Sequence, residues 1–241
     1  MTDSLKTAQA VWLAAKPRRQ SRADEVYEQL KRDVSGFKLV PGDRFTETEI
    51  SERMKVSRTP VRQALFRLQQ EGFVEVLFRS GWRVLPFDFD QFEALYDLRM
   101  VLETTAVRRL CEHAAQVNRA LLEELAGIWL VSTEQRSTDA VELAQWDEDF
   151  HCTLVVAAGN AEMARVHRDV TERIRVVRRL DFTQQPRMDA TYAEHANILQ
   201  AIQHKRSDHA ALLLRTHIQT SQAEVRKITL HQVHMARQAA C

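Results

Sequence analysis

The stretch Val56-Ser57-Arg58-Thr59-Pro60-Val61-Arg62-Gln63-Ala64-Leu65, running on through Leu68 to Glu71-Gly72, decides the fold. Ser57 is a helix-capping residue, Pro60 is tolerable in a first turn whose N–H groups have no intrahelical use, and Gly72 ends the helix. Val61, Leu65 and Leu68 share one stripe at helical spacing and must face a core. Arg58, Thr59 and Arg62 project from another face. Toward the N-terminus, Lys55-Val56 is a tight connection, and Thr46 with Glu49 makes a capping box for a short helix from Glu47 to about Met54. Pro41-Gly42-Asp43 reads as a turn, and Ser21 with Asp24 opens a helix that reaches about Ser35 before Gly36. Toward the C-terminus, Phe73-Val74-Glu75-Val76-Leu77 alternates like a strand, Arg79-Ser80-Gly81 turns, and Trp82-Arg83-Val84-Leu85 returns. Two helices joined by a tight turn and followed by a β-hairpin make a winged helix-turn-helix.

In such a unit the third helix enters a major groove with its N-terminus leading, so Arg58 and Arg62 reach base edges or phosphates and Thr59 lies beside them. Ser57 and the N–H groups next to it suit a phosphate. Arg79, at the wing tip, reaches the DNA backbone or a minor groove. The alternative is three arginines that merely solvate a helix. The capping boxes, tight turn and wing around them favour DNA.

The rest of the chain differs in kind. Its 241 residues suit one small and one medium domain, and a hydrophobic fraction of 44% excludes a disordered or collagen-like chain. The net charge of +1 divides unevenly at Pro86: residues 1–86 hold 16 basic and 11 acidic side chains, the remainder 18 and 22. All nine histidines follow Pro86, whereas four of six glycines and four of five prolines lie at or before it. We therefore expect a mobile arm over residues 1–20, a DNA-binding domain over 21–86 and a helical domain over 87–241. The arm's Lys16, Arg18 and Arg19 would add nonspecific attraction to DNA. The longest apolar run, Leu154–Gly159, is too short to span a bilayer, no export signal is visible, and Cys111, Cys152 and Cys241 fit no CxxC pattern. A cytoplasmic location with reduced thiols is expected.

After Phe87 there are only two glycines and one proline, and helical periodicity is dense. Caps divide the region into six helices: Asp90 to about Ala115, Asn118 to Glu134, Thr138 to Ala158, Asn160 to Leu180, Arg187 to His204, and Ser207 to about Arg237. The fold class is mostly α, a winged helix-turn-helix followed by an all-helical bundle. Asp147 and His151, four apart, project together from a face continued by Leu154 and Ala158. His195 shares a stripe with Ile198, Leu199 and Ile202, and His217 shares one with Leu213 and Leu214. Each histidine alone reads as a hydrogen-bonded core residue. Together, one carboxylate and three imidazoles on inward stripes of three helices make a metal site with positions open to water or a ligand. Arg99, in stripe with Leu95, Leu102 and Ala106, could grip a carboxylate, or pair with Glu103 one turn on. Arg173 is a second such candidate. Arg175, Arg178 and Arg179, and His113, His167, His204, His209, His231 and His234, are expected on the surface.

Two resemblances sharpen this reading. The run Pro41-Gly42-Asp43-Arg44, Glu47-Thr48-Glu49-Ile50-Ser51-Glu52, Val56 to Leu65, Leu68 and Glu71-Gly72-Phe73-Val74 resembles the DNA-binding domain of GntR-family transcription regulators. It implies DNA contacts from Ser57, Arg58, Thr59 and Arg62, with the wing in or near the minor groove. Ser80, where many relatives have a second glycine, and Thr48, where some have arginine, depart from the pattern. Residues 91–235 resemble the helical FCD domain of the FadR branch, through Leu95-Tyr96-Asp97-Leu98-Arg99 with Glu103, Asp147-x-x-Phe150-His151-x-x-Leu154 with Gly159-Asn160, Glu194-His195-x-x-Ile198-Leu199-x-Ala201-Ile202, and Ala210 to His217. That resemblance implies one divalent metal ion per chain on Asp147, His151, His195 and His217, with zinc first and nickel or manganese as alternatives. Six helices resemble the shorter, VanR-like subgroup.

Three functions compete. The first is a homodimeric regulator, a repressor by resemblance, that binds a palindromic double-stranded DNA operator and answers to a small organic acid. The second is a hydrolytic metalloenzyme domain fused to a DNA-binding domain. Against it, no further inward Glu or His stands as a general base. The third is a structural DNA-binding protein with a metal-stabilised domain and no effector. No membrane partner is expected.

Overall fold

The structure, a computed structural model, describes residues 21–113, 117–181, 185–227 and 238. They form two compact units that divide between Asp88 and Phe89. The expected N-terminal arm lies outside the described residues.

The first unit holds α1 (Arg22–Ser35), β1 (Arg44–Phe45), α2 (Glu47–Met54), α3 (Arg58–Gln70), β2 (Val74–Leu77) and β3 (Gly81–Val84). Both capping boxes form as the spacing predicts: Asp24 N–H donates to Ser21 Oγ and Ser21 N–H to Asp24, with the same exchange between Thr46 and Glu49. Val61, Leu65 and Leu68 close a core with Val26, Tyr27, Leu30, Ile50, Trp82 and Val84. The sheet is antiparallel in the order β1-β3-β2, with Phe45 opposite Trp82 and Leu77 opposite Gly81. Polar bonds lock the helices. Lys31 Nζ donates to Tyr27 Oη at 2.6 Å and to Glu71 at 3.1 Å, and Arg53 pairs with Asp33 at 2.6 Å. The turn between α2 and α3 closes through Lys55 in a left-handed conformation (φ 54°).

The second unit holds α4 (Phe89–Glu112), α5 (Arg119–Trp129), α6 (Ala140–Ala157), α7 (Ala161–Asp181), α8 (Gln185–Gln203) and α9 (Ser207–Val225), with a 3₁₀ turn at Thr133–Gln135. α4 packs on α6, α7 and α9, and α5 on α6 and α8. Six α-helices appear in the expected order among the described residues, with shifted ends. α5 stops at Trp129 rather than Glu134, because Ser132 turns its N–H and hydroxyl to Gln135 and starts a separate 3₁₀ turn. α6 begins two residues late, where Asp139 accepts from the N–H groups of Val141 and Glu142. Pro186 lies inside the first turn of α8, where its missing N–H costs nothing. α9 ends at Val225, and residues 228–237 of its expected extension lie outside the described residues, as do 114–116 of the first helix. Among the described residues no helix is long and apolar enough to cross a membrane.

Candidate metal centre and DNA interface

The four residues singled out on three separate helices converge. Asp147 and His151 from α6, His195 from α8 and His217 from α9 are all buried, and one ligand atom from each lies within 4.8 Å of every other. His217 Nε2 is 3.1 Å from His151 Nε2 and 3.3 Å from His195 Nε2. Asp147 Oδ1 stands 3.6, 3.3 and 4.0 Å from the Nε2 atoms of His151, His195 and His217. Ligand atoms around a tetrahedral zinc ion sit about 3.3 Å apart, and the four shorter separations here, 3.1 to 3.6 Å, lie near that spacing.

Hydrogen bonding behind the cluster decides what the ring nitrogens can do. His151 Nδ1 donates to Glu103 Oε2 at 2.5 Å, and His217 Nδ1 to Glu194 Oε2 at 2.6 Å. Burial would raise both carboxyls, but Arg99 and the histidines hold Glu103 well below the carboxylate range, and His217 and Arg187 lower Glu194. With a carboxylate accepting from each Nδ1, the two Nε2 atoms face each other at 3.1 Å, a contact that needs a proton or a metal ion between the nitrogens. Burial pushes His195 well below its ordinary value and His217 down to about 4, which leaves the Nε2 atoms of those two rings free to act as ligands. Asp147 divides its oxygens, Oδ1 toward the imidazoles and Oδ2 accepting from Arg178 Nη2. Burial opposes its ionisation, and the Arg178 charge overrides that. His195 is oriented by packing instead, stacked on Phe150 at 3.7 Å between ring centroids and edge-on to Trp129 at 4.1 Å between centroids.

Around this centre the structure corrects two surface assignments. His167 is buried, and its Nε2 meets Glu103 Oε1 at 2.9 Å. Arg178 is buried against Asp147, and Arg175 is half-buried on Glu148 with contacts of 2.6 and 2.8 Å. Both buried residues share the α7 stripe of Ala164, Thr171 and Ile174, and that periodicity could have found them. Arg99 is fully buried and its Nε donates to Glu103 Oε1 at 2.6 Å, the ion pair that the spacing allowed. Its Nη1 and Nη2 have no hydrogen-bond partner, and neither does Arg178 Nη1. Arg173 is half-buried on α7. Inward Glu and His therefore exist beyond the four clustered residues, but Glu103 is committed to Arg99, His151 and His167. His204, His209 and His113 are exposed as expected, and His231 and His234 lie outside the described residues.

On the first unit, Ser57, Arg58, Thr59 and Arg62 are all exposed on the first turns of α3. Ser57 occupies the N-cap position with no side-chain cap hydrogen bond. Arg79 is exposed at the wing turn in a left-handed conformation (φ 59°), its guanidinium 5.0 Å from the centre of the Phe78 ring.

A winged helix-turn-helix with an open recognition helix, carried on a helical unit that buries an Asp-His cluster, defines a DNA-binding transcription regulator. A profile of the gntR family of bacterial regulatory proteins matches residues 22–84, and one of the FCD domain matches residues 94–220. The chain belongs to the GntR family, in its FCD-bearing FadR branch. The Nta operon transcriptional regulator of Aminobacter aminovorans is 34% identical over 179 residues, 74% of this chain and 82% of that protein. The transcriptional repressor RspR of Escherichia coli strain K12 is 24% identical over 208 residues, 85% of this chain and 89% of that one. A solved GntR regulator from Rhodococcus sp. RHA1 has the same fold, with a TM-score of 0.70 at 20% identity over 86% of this chain and 99% of that one. These relatives are regulators of transcription, and the chain is a regulator rather than an enzyme.

Proposed function

We propose that the protein is a metal-dependent repressor that answers to a small organic acid and acts as a homodimer on a palindromic operator. The observation that carries the metal is the convergence of four buried ligand atoms, the Nε2 atoms of His151 and His217 3.1 Å apart with Asp147 Oδ1 and His195 Nε2 beside them. Asp147, His151, His195 and His217 would hold one divalent ion per chain, zinc first and nickel or manganese as alternatives. Three neutral imidazoles and one carboxylate leave positions for an exogenous oxygen.

The acid is supported by buried guanidinium groups that the protein does not satisfy. Unpaired buried donors are costly, and Arg99 Nη1 and Nη2 together match the two oxygens of a carboxylate. Arg178 Nη1 is a further donor of that kind, and Arg173 is the weaker candidate. Ser57, Arg58, Thr59, Arg62 and Arg79 would contact the operator, and its dyad symmetry would follow from a two-fold protein. Six helices favour the shorter, VanR-like subgroup.

The test is operator binding titrated with a panel of small carboxylates, in metal-loaded and chelator-stripped protein. The expected result is weakened binding by at least one acid in the loaded protein and no response in the stripped one. A full response without metal would remove the metal from signalling.

A further inference from the structure

Glu47, the first residue of α2, faces the recognition helix. Its carboxylate accepts from Arg62 Nε at 2.9 and 3.2 Å and from Arg62 Nη2 at 2.7 Å, a side-on pair across two helices. The two partners are unequally placed, with Glu47 only 19% exposed and Arg62 58% exposed. The acid is set by the scaffold and the arginine reaches out from it. The Thr46–Glu49 capping box defines the first turn of α2, where Glu47 lies. Arg62 first, and the Trp82 indole on β3 to a smaller degree, hold the Glu47 carboxyl below its ordinary value. Trp82 is itself buried, with the Phe66 ring from α3 packed edge-on at 5.6 Å.

A guanidinium has five N–H donors in a rigid fork. Nε–H and one Nη2–H are taken by Glu47, which leaves the two Nη1 hydrogens and one on Nη2 at the open end. That end is the one that pairs with guanine O6 and N7 or with a phosphate. A free arginine side chain must give up rotamer freedom when it reads a base, and one already held in place has less to lose.

We infer that Glu47 is a positioning residue for operator recognition: it holds Arg62 with the open end of its fork toward the DNA. This rests on Arg62 contacting the operator. It also runs against simple electrostatics, in which an acid beside the DNA face only weakens binding to phosphates.

That opposition makes the test decisive. An operator is first selected from a random duplex pool with the full-length wild-type chain. Affinities for it and for a scrambled duplex are then measured for wild type, Glu47→Gln, Arg62→Ala and the double variant, with thermal unfolding as the check on folding. Glu47→Gln should lower the operator-to-scrambled affinity ratio about tenfold, the scale of one base-reading contact. Scrambled-duplex affinity should hold or rise. In the Arg62→Ala background Glu47→Gln should change the ratio no further. Glu47→Gln that tightens both duplexes alike, or that lowers the ratio equally without Arg62, overturns the positioning role. An unchanged ratio in Arg62→Ala overturns the Arg62 contact as well, which separates the two failures.

Discussion

Glu103 and Glu194 each accept the Nδ1 proton of a different imidazole, and so determine that His151 and His217 offer Nε2 to the centre. Removing the negative charge of such a carboxylate without removing the acceptor lowers the basicity of the ring behind it. Glu194→Gln should therefore weaken metal binding about 10–100-fold, measured by competition with a chromophoric chelator, with folding little changed because this side chain is partly exposed. Glu103→Gln should weaken metal comparably and also cost about 3–5 kcal/mol in urea unfolding, since it leaves the buried Arg99 guanidinium without its counter-ion. Metal affinity unchanged from wild type in both variants would mean that the carboxylates only fill space. The four residues of the cluster were legible in the sequence because each lies on an apolar stripe whose spacing is that of a helix. Arg178 and His167 obey the same spacing, but they carry or can carry charge, and a charged residue reads as surface until a buried partner is seen. The partners, Asp147 and Glu103, lie on other helices, where helical spacing cannot register them.

Among the elements, the wing depends most on a single backbone position. Gly81 opens β3 at φ +86°, and a Cβ there would lie 2.5 Å from the Phe45 carbonyl oxygen of β1. Gly81→Ala should destabilise the DNA-binding unit by about 1–3 kcal/mol in urea unfolding, since neither the left-handed backbone nor the neighbouring strand can give way freely. Ser80→Gly, one residue earlier, should stay within about 0.5 kcal/mol, because Ser80 is exposed and not in a left-handed conformation. If Gly81→Ala is as stable as the parent, the close approach of β1 is not maintained. Helix starts were readable at Ser21 and Thr46, whose side chains cap them, and at Ser57, which takes the N-cap position without a side-chain hydrogen bond. β1 was not, because two residues are too few to show an alternating pattern and only their pairing with Arg83 and Trp82 makes them a strand.

At the scale of the whole molecule, effector and operator are expected to be coupled by about 1–3 kcal/mol, and the coupling must be reciprocal: the acid should bind more weakly to the operator complex by the factor by which it weakens DNA binding. Calorimetry of the acid with and without operator checks this, and an acid affinity unchanged by operator would show that the two sites are not coupled. Arg58→Ala and Arg62→Ala should each reduce operator affinity by about 1–3 kcal/mol while leaving acid binding intact, measured on the same two assays. The division into two units was visible in the uneven spread of charge, glycine, proline and histidine.

The cluster draws its four side chains from α6, α8 and α9, helices spread over residues 140–225 of the chain. An ion held there ties these segments together only in the folded protein, so metal at about a hundred times its dissociation constant adds about 2.7 kcal/mol of stability. That is about a hundredfold fewer unfolded chains, and unfolded chains are what cellular proteases degrade. The number of regulator molecules in the cell would then follow metal supply, whether or not any acid is present.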